Sequence, residues 1–362
     1  MTEAPAPSAA SSAAVASVAA PLPPLPYHRL LRALPRYRWW KPLVALVITA
    51  ILWLIFTGIV VVVGVVIAVA QGRIEFTTTE GATRDLLKIF GVVDAGDPLS
   101  VSIGLIGVAS LLPATLLGYL IVGLRPLTVL RSVQFRFRWR WLAFSLLPAL
   151  VVTVVSTALQ FLVLPLILGG VSVVAPTIPL GTFLICAAIV LVVTPLQAAA
   201  EEFAFRGLIT QMFGGWLRSA PLVIVLSAIP FAAAHVQYLG DGGSLTWATA
   251  DVALFALVAG FVTWRTGGIE SSIALHATNN TLAFLALASS LGGTTSTSSN
   301  AAGDPLPLLL SFLVSVVTMV PYAIWIDRAA RKRGIQRFLV PIAPAEPATL
   351  AEPAIPVSPG NS

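Results

Sequence analysis

Two adjacent carboxylates and an arginine, Glu201, Glu202 and Arg206, sit just past a long apolar run in the stretch "AAAEEFAFRG". Two later apolar runs carry polar groups of their own. His235 closes "FAAAH", and His276, Asn279 and Asn280 fall in "HATNN". An ionisable side chain at mid-membrane costs about 2.5–3.5 kcal/mol on insertion scales, so such residues face each other or a cavity and mark function by default. One glutamate, two histidines and an asparagine suffice to hydrolyse a peptide bond. A carboxylate takes a proton from water, with an imidazole to orient or share it. A second imidazole and an amide donate to the developing oxyanion, and each such donor is worth about 2.7–4 kcal/mol in soluble proteases.

Helical spacing divides the roles. Glu202 and Arg206 are four apart, on one face, and suited to an ion pair. Glu201 is turned by about 100° from Glu202, so Arg206 reaches it less easily and it is left for chemistry. His276 and Asn280 share a helix face one turn apart, as do Phe231 and His235. The third histidine, His28, lies in the basic N-terminal tail and carries no functional reading, and Asp251 reads as a helix N-terminal residue near the outer surface. Two His and one Glu could also hold zinc. The HExxH spacing that marks many zinc proteases is absent. The sequence does not require a metal and leaves it open.

The elements that must carry these residues follow from composition. Of the 362 residues 57% are hydrophobic and 10% charged, against roughly 25% charged in a soluble domain. The chain reads as an all-α, polytopic transmembrane bundle. Eight spans are expected, near 42–70, 101–124, 141–168, 180–200, 221–238, 248–264, 270–291 and 305–326, the fourth extending to about Phe213. Four regions result: a disordered Ala/Pro-rich tail over 1–35, N-terminal transmembrane helices over 36–175, a protease-like core over 176–336 and a disordered tail over 337–362. The loop 292–304 reads as flexible. Cys186, the one cysteine, admits no internal disulfide. The net charge of +6 reflects topology and not nucleic-acid binding. With both termini cytoplasmic, all but Arg73, Arg84 and Lys88 of the 21 basic residues fall inside. The partners implied are membrane lipids, anionic ones included, and a hydrophobic or lipid-anchored peptide.

Glu201-Glu202-x-x-x-Arg206, Phe231-x-x-x-His235 and His276-x-x-x-Asn280, in that order and each in its own hydrophobic segment, resemble the three motifs of the type II CAAX prenyl protease family, also called Abi or CPBP. The resemblance covers roughly residues 180–295. It implies Glu201 as general base, His235 as its helper in activating water, and His276 with Asn280 as the oxyanion site. Glu202 and Arg206 would shape the site or bind substrate. The family includes bacteriocin-processing and immunity proteins. It is commonly labelled a metalloprotease, although its chemistry is also read as glutamate-driven without metal. Its eukaryotic members remove the last three residues of prenylated proteins. The Ala/Pro-rich tails point instead to a bacterium of high G+C content, and to a multi-pass protein of its plasma membrane.

Two other classes remain as alternatives, a proton-coupled transporter and a non-catalytic immunity or scaffold protein of the same fold. Transporters often show inverted repeats, and the sequence shows none. The serine-type GxSG and aspartyl-type GxGD motifs are also absent. The topology makes a direct prediction. In a Cys186→Ser background, single cysteines placed in the 71–100 loop react with an impermeant thiol reagent applied from outside, and those at 125–140 do not. The reversed pattern would sink the assignment.

Overall fold

The computed structural model describes residues 24–74, 76–91, 93–168, 178–235, 245–289 and 306–340. The expected tails at 1–23 and 341–362 and the loop 292–304 lie outside the described residues. Helices in chain order are Lys41–Ala70 (α1), Thr79–Phe90 (α2), Pro98–Ala109 (α3), Leu111–Ile121 (α4), Trp139–Ala158 (α5), Leu164–Ile167 (α6), Leu180–Glu202 (α7), Thr210–Trp216 (α8), Ala220–Ala233 (α9), Trp247–Thr266 (α10), Glu270–Ala288 (α11) and Leu306–Lys332 (α12). Wide π-helical turns, Leu159–Val163 and Phe203–Ile209, join α5 to α6 and α7 to α8.

Each expected apolar run contains helix. Lys41–Ala70, Pro98–Ile121, Trp139–Val163, Leu180–Trp216, Trp247–Thr266 and Leu306–Lys332 are long and apolar enough to cross a membrane. Ala220–Ala233 is apolar but shorter, and α11 carries the polar residues of the candidate site. The protein is an all-α polytopic membrane protein. The amphipathic α2, begun by a side-chain cap from Thr78, was not foreseen within the 71–100 loop.

Burial follows lipid exposure. One side of α1 packs against α3 and α4, while Leu54, Ile59, Val62 and Val66 on the rest of its surface stay exposed. In the interior, α11 packs between α5 and α7 and also touches α10. The core around it holds Phe231, Phe255, Leu275, Met319 and Tyr322. A capping box of Thr246 and Thr249 starts α10. Gly267 ends it with φ +70°, a left-handed conformation that favours glycine. A Cβ there would also crowd the backbone of Arg337.

The tail boundaries set at 35 and 337 need correction. Tyr27–Ala33 forms a 3-10 helix with Tyr27, Leu30 and Leu31 fully buried, packed against α8. Leu25–Pro26 pairs antiparallel with Phe338–Leu339. Arg29 and Arg32 alternate here with a buried apolar face. His28 is buried too, its Nε2 3.2 Å from the Arg218 carbonyl. The chain passes so close that a Cβ at Gly214 would collide with the His28 carbonyl.

At the end of the bundle where β-paired residues 25–26 and 338–339 meet, a buried ion pair clamps α11. Arg138 donates through Nε to Glu270 Oε1 at 2.9 Å and through Nη2 to Oε2 at 2.6 Å. Its Nη1 donates to the Thr266 carbonyl at 2.8 Å, and the two side chains are 6% and 0% exposed. Breaking a buried pair by removing one partner costs about 3–5 kcal/mol, whereas replacing both with apolar groups costs far less. Arg138→Met is therefore expected to lower thermal stability in detergent strongly, and Arg138→Met with Glu270→Met to recover much of the loss. Equal melting temperatures for wild type and Arg138→Met would contradict the clamp.

Candidate active site

Glu201 and Glu202 are the last two residues of α7, and Arg206 lies in the π turn that follows. Thr210 Oγ1 donates to the carbonyl of Phe205, five residues back, at 2.9 Å. Turns of this kind recur at functional sites because they re-aim side chains that a regular helix would hold elsewhere.

Glu202 is the hub. It is fully buried, and its Oε1 accepts from Arg206 Nη1 at 2.9 Å and lies 2.8 Å from His276 Nδ1. A carboxylate only accepts, so the His276 proton sits on Nδ1. Arg206 also donates to the Ala256 carbonyl at 3.3 Å. Its guanidinium lies 4.4 Å from the Phe231 ring centroid and 5.6 Å from that of Phe255. The expected Glu202–Arg206 pair is present; that it also anchors His276 was not anticipated.

Glu201 is placed differently. Its Oε1 accepts from Gln197 Nε2 at 2.7 Å, and its buried Oε2, like that of Glu202, makes no hydrogen bond among the described residues. That oxygen stands 3.4 Å from His276 Nε2. The two ring nitrogens of His276 thus address the two adjacent carboxylates. Asn280, one turn further along α11, donates through Nδ2 to Gln197 Oε1 at 3.2 Å. Asn279 Nδ2 donates to Asn280 Oδ1 at 3.5 Å.

His235 joins the layer through Phe231. Its ring centroid lies 4.7 Å from that of Phe231, which is 6.1 Å from the His276 ring. His235 Nδ1 donates to the Phe231 carbonyl at 2.7 Å. Phe255, with its centroid 4.7 Å from His276, completes the aromatic wall. Asp251 is the fifth residue of α10, whose N-cap is Thr246.

Burial is graded along α11. Residues 270–277 are buried and 278–285 are partly exposed. The carboxylates and His276 therefore lie at the closed end of this gradient, and Asn280 where access begins. Among the described residues no group of three or more His, Cys, Asp or Glu is arranged to hold a metal ion. His276 Nδ1 and Glu201 Oε1 are already engaged in hydrogen bonds.

Sequence reasoning missed Gln197 and Phe255. Gln197 had a signal: it is a lone amide in an apolar run, one turn before Glu201. Phe255 had none, since one aromatic in a hydrophobic helix is unremarked until its neighbours are known.

The two glutamates should respond differently to substitution. Glu202→Gln weakens the hold on Arg206 and His276 together, and is expected to cost about 3–5 kcal/mol of stability. Glu201→Gln should melt close to wild type. Equal melting temperatures for the two variants would contradict this division.

Residues 182–282 match the family model described as type II CAAX prenyl endopeptidase Rce1-like. The stretch includes Gln197, Glu201, Glu202, Arg206, His235, His276 and Asn280. The chain is 26% identical over 156 residues to "Uncharacterized protein YyaK" of Bacillus subtilis (strain 168), an alignment covering 43% of this chain and 50% of that relative. The chain thus spans about half the length of the curated relative it matches. No solved structure matches it.

Proposed function

We propose that the protein is an intramembrane endopeptidase that cleaves hydrophobic or lipid-anchored peptides in a bacterial plasma membrane, with Glu201 as general base. One observation carries this reading. Each of the two adjacent carboxylates keeps an Oε2 with no hydrogen bond among the described residues, but Glu202 is fully buried and paired with Arg206 and His276, while Glu201 is 7% exposed and its Oε2 stands 3.4 Å from His276 Nε2. A carboxylate so placed can take a proton from water.

In the proposed reaction Glu201 Oε2 removes a proton from a water that His235 helps to orient. The resulting hydroxide attacks the scissile carbonyl carbon. The carbonyl π electrons move onto oxygen, where Asn280 Nδ2–H and His276 Nε2–H donate to the oxyanion. As the carbon–nitrogen bond breaks, the leaving amine receives the proton from Glu201. Because the Nδ1–H of His276 is given to Glu202, donation from Nε2 requires the doubly protonated ring. The Glu202–Arg206 pair fixes that ring and takes no proton itself. No metal has a part in these steps.

The test uses purified protein in proteoliposomes and two internally quenched peptides, one with an S-farnesyl cysteine before three apolar residues and one without the prenyl group. Cleavage of at least one is expected, unaffected by EDTA and abolished in Glu201→Gln. Asn280→Ala is expected to lower turnover roughly a hundredfold or more, with little change in KM. Turnover retained by Glu201→Gln, or lost on chelation and restored by zinc, would contradict the mechanism.

A further inference from the structure

Gln197 lies on α7 one turn before Glu201, 4% exposed, and bridges two residues of the proposed machinery. Its Nε2 donates to Glu201 Oε1 at 2.7 Å. Its Oε1 accepts from Asn280 Nδ2 at 3.2 Å. The result is a relay across two helices, from Asn280 on α11 through Gln197 to Glu201 on α7.

The direction of this relay is dictated by charge. An ionised carboxylate can only accept, so Gln197 must turn its NH2 group towards Glu201. That places the Gln197 carbonyl towards Asn280, which must in turn present its own NH2 group. A primary amide can otherwise exchange its two ends by a half rotation at little cost in shape. Here the orientation of Asn280 is inherited from the charge on Glu201, and one N–H of its nitrogen serves Gln197 while the other remains for a further acceptor.

We infer that Gln197 is a positioning residue for the hydrolysis proposed above, on which this inference rests. By holding Glu201 at Oε1 it leaves Oε2 as the oxygen that meets water beside His276. By accepting from Asn280 it fixes that amide as a donor at the level of the oxyanion. Gln197 itself touches no reacting atom. A merely structural link between α7 and α11 would affect melting temperature and nothing else.

The test combines kinetics with infrared spectroscopy on the full-length protein. Gln197→Met removes donor and acceptor at similar volume, and Gln197→Asn keeps the amide but shortens its reach. With the quenched peptides, both variants are expected to lose about tenfold or more in kcat, the worth of a hydrogen bond to a charged group, with KM nearly unchanged. The loss in Gln197→Met combined with Asn280→Ala should not exceed that of the worse single variant, because residues acting as one unit are not additive. The carboxylate stretch of Glu201, identified as the band missing in Glu201→Gln, should shift in Gln197→Met. Normal turnover with an unshifted band, or losses that multiply in the double variant, would overturn the inference. If Gln197→Met fails to fold, Gln197→Asn decides by the same criteria. If wild type cleaves neither peptide, the proposed function fails while the infrared band still reports on Gln197.

Discussion

The structure depends on one constraint, the burial of two adjacent carboxylates in an apolar bundle. A carboxylate without a partner in such surroundings is costly, and two neighbours would also repel each other. The chain resolves this by giving them unlike environments. Glu202, fully buried, takes Arg206 and His276. Glu201, 7% exposed, takes the neutral amide of Gln197. One carboxylate is balanced by a guanidinium; the other is held by an amide and stands 3.4 Å from His276 Nε2.

Much of the surrounding architecture serves this arrangement. The π turn sets Arg206 beneath the Phe231 ring, where its flat cation meets an aromatic face. The Arg138–Glu270 clamp pins the start of α11, six residues before His276, about 9 Å along the helix axis. At the same end, the paired residues 25–26 and 338–339 and the buried 3-10 helix add packing. Exposure begins only at residue 278, so polar groups cluster where α11 passes from a closed core to an accessible region.

How much of this was legible in the sequence depended on contrast. Glu201, Glu202, Arg206, His235, His276 and Asn280 stood out because polar residues are rare in an apolar chain, and helical spacing alone paired Glu202 with Arg206. The apolar runs gave the helices for the same reason. What could not be read was tertiary. Spacing within one helix says nothing of His276 reaching back to Glu202 from α11, or of Gln197 joining Glu201 to Asn280. Arg138 and Glu270 lie 132 residues apart in the sequence, and only the fold makes them partners. The burial of Tyr27, Leu30 and Leu31 was masked by the arginines between and around them.

The division of labour between the two glutamates turns a packing problem into a chemical asymmetry, and its consequence should be visible in the cell. The most direct measurement compares membrane peptide fragments and their new termini in cells carrying wild type or Glu201→Gln at equal protein levels. The account predicts a set of cleaved membrane-associated proteins whose fragments disappear and whose intact forms accumulate in the variant. Identical fragment profiles in the two strains would contradict a proteolytic role for Glu201.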